Sequence, residues 1–303
     1  MKKFVWIAVL AVVVVLLVGA VYVAYQSRQQ AIIWTHPARN PVQGDPESVQ
    51  GLADWEAVTL TTSDSLALQG WFIPADAASN PDGAAVILLH GLGGNRVEML
   101  ERADILHRNG YHTLLLDLRN HGESAGEITT LGFNEVEDVR AAWAYLADHD
   151  AVDAAKIAVL GHSMGGATAL RAAATIPEIA AVVAESSYRS TAADADRIMQ
   201  VMTGRGAWPL LLTFVDQVTG AAVSSVSGVT DIQQIAPRPV LIVHGDQDDV
   251  ILPEAADTLY AAASEPKALY IVAGAGHSDV ASFDLITYEQ QVVGFLNQYL
   301  RTG

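Results

Sequence analysis

The chain has 303 residues, 51% of them hydrophobic, enough to bury one large globular core or two small ones. It contains no cysteine, which removes disulfides, thiolate metal sites and cysteine nucleophiles together. A formal net charge of −17 argues against nucleic acid or an anionic membrane surface as a partner of the globular part, and reads as surface solubility.

The N-terminus departs from that profile. Phe4 to Tyr25 is uncharged and almost wholly apolar, with Lys2 and Lys3 ahead of it. At about 1.5 Å per residue it makes a helix of about 33 Å, enough to cross a hydrocarbon core of about 30 Å. The alternative is a cleaved signal peptide cut after Val18-Gly19-Ala20. A signal core, however, runs to only about 7–15 residues, and this one continues to Tyr22 and Tyr25. The expectation is a retained single-pass anchor over residues 1–28. Lys2, Lys3 and the amino terminus outweigh Arg28, which puts the N-terminus in the cytoplasm and the rest outside.

Residues 29–54 read as a linker: polar, interrupted by Pro37, Pro41, Gly44 and Pro46, and without sustained periodicity. From Trp55 the pattern changes. Trp55 to Thr61 and Leu66 to Ile73 form an expected antiparallel hairpin at a sheet edge. Short apolar runs at Ala85–Leu89, Thr113–Leu116, Ile157–Leu160, Ala180–Ala184, Val240–Val243 and Ala268–Val272 then alternate with helical segments. These helices are expected near 97–108, 134–148 and 165–175, from Pro253 onward, and over 283–300. The alternation predicts a mostly parallel sheet with helices on both faces, in one domain over 55–303. The segment 188–236 is too long for an ordinary connection between two core strands, carries the apolar run Trp208 to Val215, and is expected to be a small helical cap.

The chemistry centres on Gly161-His-Ser163-Met-Gly165, which follows an apolar strand and opens a helix. That context exposes a serine hydroxyl at a strand end beside a helix N-terminus, while the glycines leave room where strand and helix cross. A neutral serine is a weak nucleophile and needs a base and an acid. Among nine histidines, His277 follows the last strand in Gly274-Ala-Gly-His277, on the face where the carboxyl ends of parallel strands converge. The acid candidates crowd into Asp246-Gln-Asp248-Asp249; Asp248 is preferred, Asp249 and Asp246 are alternatives, and Glu185 is more distant. The order Ser163, Asp248, His277 suits this serine-turn architecture. His90 and His121 are expected to fix loops, and His162 to line the site. Gly91, Gly93 and Gly94 lack the Gly-Lys-Ser/Thr of a phosphate loop, and the aspartates lack calcium-loop spacing, so neither nucleotide nor metal is expected.

His90-Gly91-Leu92-Gly93-Gly94, Asp117-Leu-Arg119-Asn-His121-Gly122-Glu-Ser124, Gly161-His-Ser163-Met-Gly165 and His244-Gly-x-x-Asp248 with Gly276-His277 together resemble the α/β-hydrolases, and within them the serine aminopeptidase-like (hydrolase-4) group. The resemblance spans Trp55 to Leu300 and is greatest to membrane-tethered bacterial hydrolases of undefined substrate. It implies an α/β-hydrolase fold, selects Asp248 as the acid by its spacing from His244, and implies an oxyanion hole from the backbone amides of Leu92 and Met164. It departs from many relatives at Asn120, where they carry glycine, with no catalytic consequence expected. The implied activity is a serine hydrolase cleaving an ester or thioester without a cofactor. Its substrate would be a small-molecule or lipid-like acyl compound, with the membrane engaged through the N-terminal helix. Peptidase or amidase activity, and a non-catalytic anchored binding protein on the same fold, are the alternatives.

Overall fold

A computed structural model describes residues 2–49, 51–75 and 82–301. The N-terminal helix α1 runs unbroken from Lys2 to Thr35. Lys2 to Tyr22 is exposed, apolar and long enough to cross a membrane, whereas Ser27, Gln30, Ala31, Trp34 and Thr35 are buried against the rest of the chain. The stretch expected as a linker from residue 29 therefore begins as helix, because its polar residues have partners. Gln30 donates to Gly206 O at 2.9 Å and accepts from Trp208 N–H at 2.8 Å, and Ser27 Oγ accepts from Leu210 N–H at 3.3 Å. Beyond the helix the chain stays pinned, with Arg39 donating to Ser124 O and Asn40 to Gly93 O.

Eight strands form one sheet among the described residues: β1 (Glu56–Thr61), β2 (Ala67–Ile73), β3 (Ala85–Leu89), β4 (His112–Leu116), β5 (Ile157–His162), β6 (Ala181–Glu185), β7 (Val240–Gly245) and β8 (Lys267–Val272). Their spatial order is β1-β2-β4-β3-β5-β6-β7-β8. The β1–β2 hairpin is antiparallel at one edge, and every pairing from β4 onward is parallel. The central strands β3 to β7 are buried at every position, which is why they read as continuous apolar runs rather than alternating ones.

The covering helices are α2 (Leu100–Arg108), α3 (Glu135–Ala147), α4 (Met164–Thr175), α8 (Glu254–Ala262) and α9 (Leu285–Leu296). The last is shorter than expected from the sequence and ends in a π-turn over Asn297–Arg301. Between β6 and β7, α5 (Thr191–Thr203), α6 (Leu211–Thr219) and α7 (Gly228–Ile232) build the expected cap. One core cluster draws on α3, α4 and the cap and also takes in Ala31 and Trp34 of α1; the other lies beneath α2 and α9.

Glu185, at the end of β6, is wholly buried. It accepts from Arg102 Nε at 2.8 Å and from the Tyr288 hydroxyl, so α2 and α9 are joined through one carboxylate. Removing one partner strands the other charge in a medium that cannot solvate it. Arg102→Met is expected to cost about 3–5 kcal/mol in urea unfolding, and adding Glu185→Gln to recover a large part of that loss.

Candidate active site

The turn after β5 is the most constrained place in the chain. Ser163 has φ 55° and ψ −115°, a region that side-chain-bearing residues adopt rarely and at a cost of about 1–3 kcal/mol. The strand must become helix α4 within that one residue. A Cβ on Gly161 would lie 2.1 Å from Gly165 O, and one on Gly165 would lie 2.3 Å from Leu89 O, so the glycines are sterically required. The result lifts the Ser163 hydroxyl off the sheet edge and leaves the Met164 amide as the first of α4, without an intrahelical acceptor.

The three residues expected to act together are brought together. The Ser163 hydroxyl donates to His277 Nε2 at 3.0 Å, and His277 Nδ1–H donates to Asp248 Oδ2 at 2.8 Å. Asp248 follows β7 in a turn that aims two backbone amides, Val250 and Ile251, at its Oδ1 at 2.9 and 2.8 Å. His244 approaches Oδ2 at 3.2 Å while its Nε2–H also donates to Ile251 O. Burial by itself raises the Asp248 carboxyl; the hydrogen bonds from His244 and His277, the His277 charge and the Ile251 amide outweigh it and hold the group well below the usual carboxylate range. The rival acids do other work. Asp246 accepts from Gly274 N–H, Asp249 offers its carbonyl to Arg197, and Glu185 is held by Arg102 and Tyr288.

The loop after β3 is shaped by two neutral histidines. Burial, helped by the neighbouring His121, pushes the His90 imidazole down to about 3; its Nδ1–H donates to Gly91 O and its Nε2 accepts from Leu118 N–H. Burial also lowers His121, which donates through Nδ1 to Arg119 O and accepts the Gly93 amide at 3.0 Å through Nε2. Gly91 N–H is drawn toward Glu98, which leaves Leu92 between two engaged amides on the wall of the same cavity as Met164 and Ser163.

Behind that loop, buried Asp117 accepts from the amides of Arg96 and Glu123 and pairs with the Arg96 guanidinium. A Cβ on Gly122 would lie 2.1 Å from its Oδ2. Asn120 has φ 62°, a left-handed conformation that glycine adopts freely and asparagine tolerates, and its amide donates to Thr129. The departure from glycine there is conformationally neutral.

His162 does not face the cavity as expected. It is buried behind His277, with Nε2–H donating to His277 O at 2.8 Å and Nδ1–H to Glu98 Oε1 at 2.6 Å. Burial opposes its charge, but the hydrogen bond and charge of Glu98 prevail and raise it, while Glu98 is lowered in turn. Sequence reasoning missed Glu98, and also Trp34 and Pro37, which lie on the wall of the cavity. The cavity holds about 250 Å³ and is also lined by Leu131, Tyr188, Ile198, Val201, Met202 and Val250 around Ser163 and His277. Its surface is mostly apolar, with Ser163 and His277 in the lining.

Comparison with known proteins matches residues 84–203 to a profile of the α/β hydrolase fold. The chain is 31% identical over 273 residues to the uncharacterized protein Rv2307c of Mycobacterium tuberculosis, covering 90% of this chain and 88% of that one. It is 28% identical over 258 residues to the uncharacterized protein YfhR of Escherichia coli, covering 82% and 84%. Among solved structures it is similar to the esterase Pf2001 of Pyrococcus furiosus, with TM-score 0.72, 26% identity, and coverage of 87% of this chain and 99% of that one.

The His162–Glu98 pair has a defined pH signature. His162, raised above its unfolded value of about 6.5, contributes stability below that value and loses it as pH rises through the folded one. Glu98, depressed below its unfolded value of about 4.3, contributes above that and loses it as pH falls through the folded one. Glu98→Gln is therefore expected to destabilise by about 1–3 kcal/mol between about pH 4.5 and 6.5, with a smaller deficit at pH 9. Urea unfolding at pH 5.5 and 9 measures the difference; an equal deficit at both would mean that the pair is not charged.

Proposed function

Because the chain belongs to the α/β-hydrolase family, we propose that it is a serine hydrolase acting on ester or thioester bonds of apolar acyl groups. The observation that carries this reading is the unbroken hydrogen-bond line from Ser163 through His277 to Asp248, at 3.0 and 2.8 Å, beside an apolar cavity. His277 takes the Ser163 proton as Oγ attacks the acyl carbon, then returns it to the leaving alcohol or thiol. Water, activated by the same imidazole, releases the acid and restores the serine. Asp248 keeps Nδ1 protonated and balances the imidazolium. The Leu92 and Met164 amides receive the oxyanion, helped at Met164 by the helix N-terminus; losing such a donor costs about 10² to 10³ in turnover. We read residues 1–28 as a membrane anchor that holds the catalytic domain outside the cytoplasm. Esterase activity in a solved relative favours esters over amides, and an amide-selective enzyme is the reading a substrate panel would have to establish instead.

Fluorophosphonate labelling of the full chain in detergent, followed by peptide mass spectrometry, tests the nucleophile. The adduct is expected on Ser163 and is lost in His277→Ala and in Ser163→Ala. Ser163→Ala should retain or slightly raise Tm, since alanine leaves the base unpaired but removes no packing. A folded protein that is never labelled, and turns over no acyl ester, would identify a binding protein on a hydrolase fold.

Chain-length preference follows from the cavity lining. Turnover measured as kcat/KM on acetyl, hexanoyl and dodecanoyl p-nitrophenyl esters is expected to rise with length by about tenfold or more across the series, at up to about 0.8 kcal/mol per buried methylene. A maximum at acetyl would overturn the preference while leaving the nucleophile untouched.

A further inference from the structure

The outer end of α1 reaches the catalytic cavity. Tyr22, at the end of the apolar stretch, meets Trp208 of the cap edge-to-face at 5.7 Å; Ser27 and Gln30 clasp the backbone of the 206–210 turn; and Trp34, three turns beyond Tyr22, lines the cavity with Pro37. The rise from Tyr25 to Trp34 is about 14 Å, so a helix that ends its span at Tyr25 brings Trp34 just above a head-group layer of about 5–8 Å.

The cap edge held there has the character of an interfacial surface. Val201 and Met202, in the last turn of α5, both line the cavity and are 47% and 38% exposed, which marks them as its mouth. Leu210, in the turn whose backbone Ser27 and Gln30 hold, is 40% exposed. Arg205 in the same turn and Arg28 on α1 are exposed and in no ion pair among the described residues, although acidic groups dominate the chain as a whole. Tyrosine and tryptophan at the water boundary, apolar side chains below and cations level with the phosphates are the ordering that a lipid surface selects.

We propose that this cap edge rests on the bilayer beside α1, and that the site takes the acyl esters of membrane-resident lipids through the mouth at Val201 and Met202, with Trp34 of the anchor helix as a wall of the acyl pocket. The proposal rests on the anchored-hydrolase reading above. It adds the source of the substrate, the path it takes and a specificity residue supplied by the anchor itself. An acyl chain would pass from one apolar phase to another without crossing water, and its carbonyl would reach Ser163 while the head group stays at the interface. The reaction is unchanged in its balance: the acyl–oxygen bond breaks, the alcohol leaves with the proton from His277, and water supplies the oxygen of the released acid.

The natural chain has no cysteine, so single cysteines report position directly. The full chain is reconstituted in phosphatidylcholine vesicles with an NBD fluorophore on Leu210→Cys, on Val14→Cys within α1, or on Asp150→Cys beyond the end of α3. Quenching by a nitroxide lipid labelled near its head group is expected at Leu210→Cys and absent at Asp150→Cys. Quenching from a nitroxide deep in the acyl chains at Val14→Cys, with none at Leu210→Cys, overturns the seated cap and leaves the anchor standing. No quenching at Val14→Cys from any depth removes the anchor and the proposal together. In the same vesicles, Trp34→Ala is expected to lower the dodecanoyl-to-acetyl ratio of kcat/KM by about tenfold, mainly through KM of the long ester. Val201→Asp, on an exposed turn, tests the mouth independently and is expected to lower that ratio similarly. An unchanged ratio in the folded variants overturns the acyl wall and mouth, whereas wild-type protein that labels on Ser163 but ignores every ester would instead refute the ester reading.

Discussion

The candidate site depends on one steric constraint, the crossing of β5 and α4 at Ser163. With Gly161 and Gly165 bare of side chains, α4 starts against the carbonyls of Leu89, which ends the neighbouring strand β3, and of His90 just after it. The register that pairs Leu89 with Gly161 therefore also decides that the loop after β3 emerges next to the N-terminus of α4. Leu92, from the loop after β3, and Met164, at the start of α4, thereby share one cavity wall with Ser163. The strained φ at Ser163 persists because strand pairing on both sides and helix packing above determine the turn more strongly than the local cost of about 1–3 kcal/mol opposes it.

The residues around this turn separate four histidines by environment. His90 and His121 are buried without an acidic hydrogen-bond partner and stay neutral, so each can accept one amide and donate once, which is what shapes the Gly91–Gly94 loop. His162 is equally buried but meets Glu98, and as an imidazolium it donates twice, tying the backbone of His277 to the loop after β3. His277 is the one whose ring faces the cavity. Asp248 completes the arrangement: hydrogen bonds from His244 and His277 hold its carboxyl low, and two amides on the oxygen that does not serve the imidazole leave its second oxygen directed at Nδ1. Charge thus lies behind Ser163 and His277, while the cavity beside them is mostly apolar, a medium in which hydrogen bonds and dipoles act at greater strength than in water.

Most of this architecture is legible in the chain because buried parallel strands are written as uninterrupted apolar runs and the serine turn has few sequences that can form it. The hairpin and the succession of strands and chemistry-bearing loops along the chain follow from such signals. Three features do not. Helix α1 outlasts its apolar stretch because Ser27 and Gln30 are satisfied by the cap backbone, and a polar helix face buried on a polar turn leaves no hydrophobic periodicity; the cluster Ala31-Ile-Ile-Trp34 was the available sign. Glu98 is a surface-like residue in a helical pattern, and nothing local announces a histidine sixty-four positions away. Trp34 and Pro37 enter the cavity from a segment whose prolines read as linker, since a chain that is ordered by docking onto another element carries no pattern of its own.

The same docking separates two properties that an N-terminal apolar helix usually joins. Severing the chain after Ala20, where a signal peptidase would act, leaves Ser27, Gln30, Trp34 and Pro37 in place, so the wall of the cavity and its ties to the cap would survive. What would be lost is the apolar span and, on the anchored reading, the height at which it would hold the cap above a lipid surface. A chain under pressure only to complete a pocket needs the helix from about Ser27 onward. Twenty-two uncharged residues run ahead of that point; Tyr22 meets Trp208 of the cap and Val23 and Ala24 are half-buried, while Phe4 to Val21 lies exposed. Exposed apolar surface on that scale is unfavourable in water and favourable in a bilayer. The continuity of α1 then matters mechanically: on the anchored reading, one rigid helix would carry both the membrane contact and a wall of the cavity, so the distance between lipid and Ser163 would be set by backbone hydrogen bonds rather than by a flexible tether.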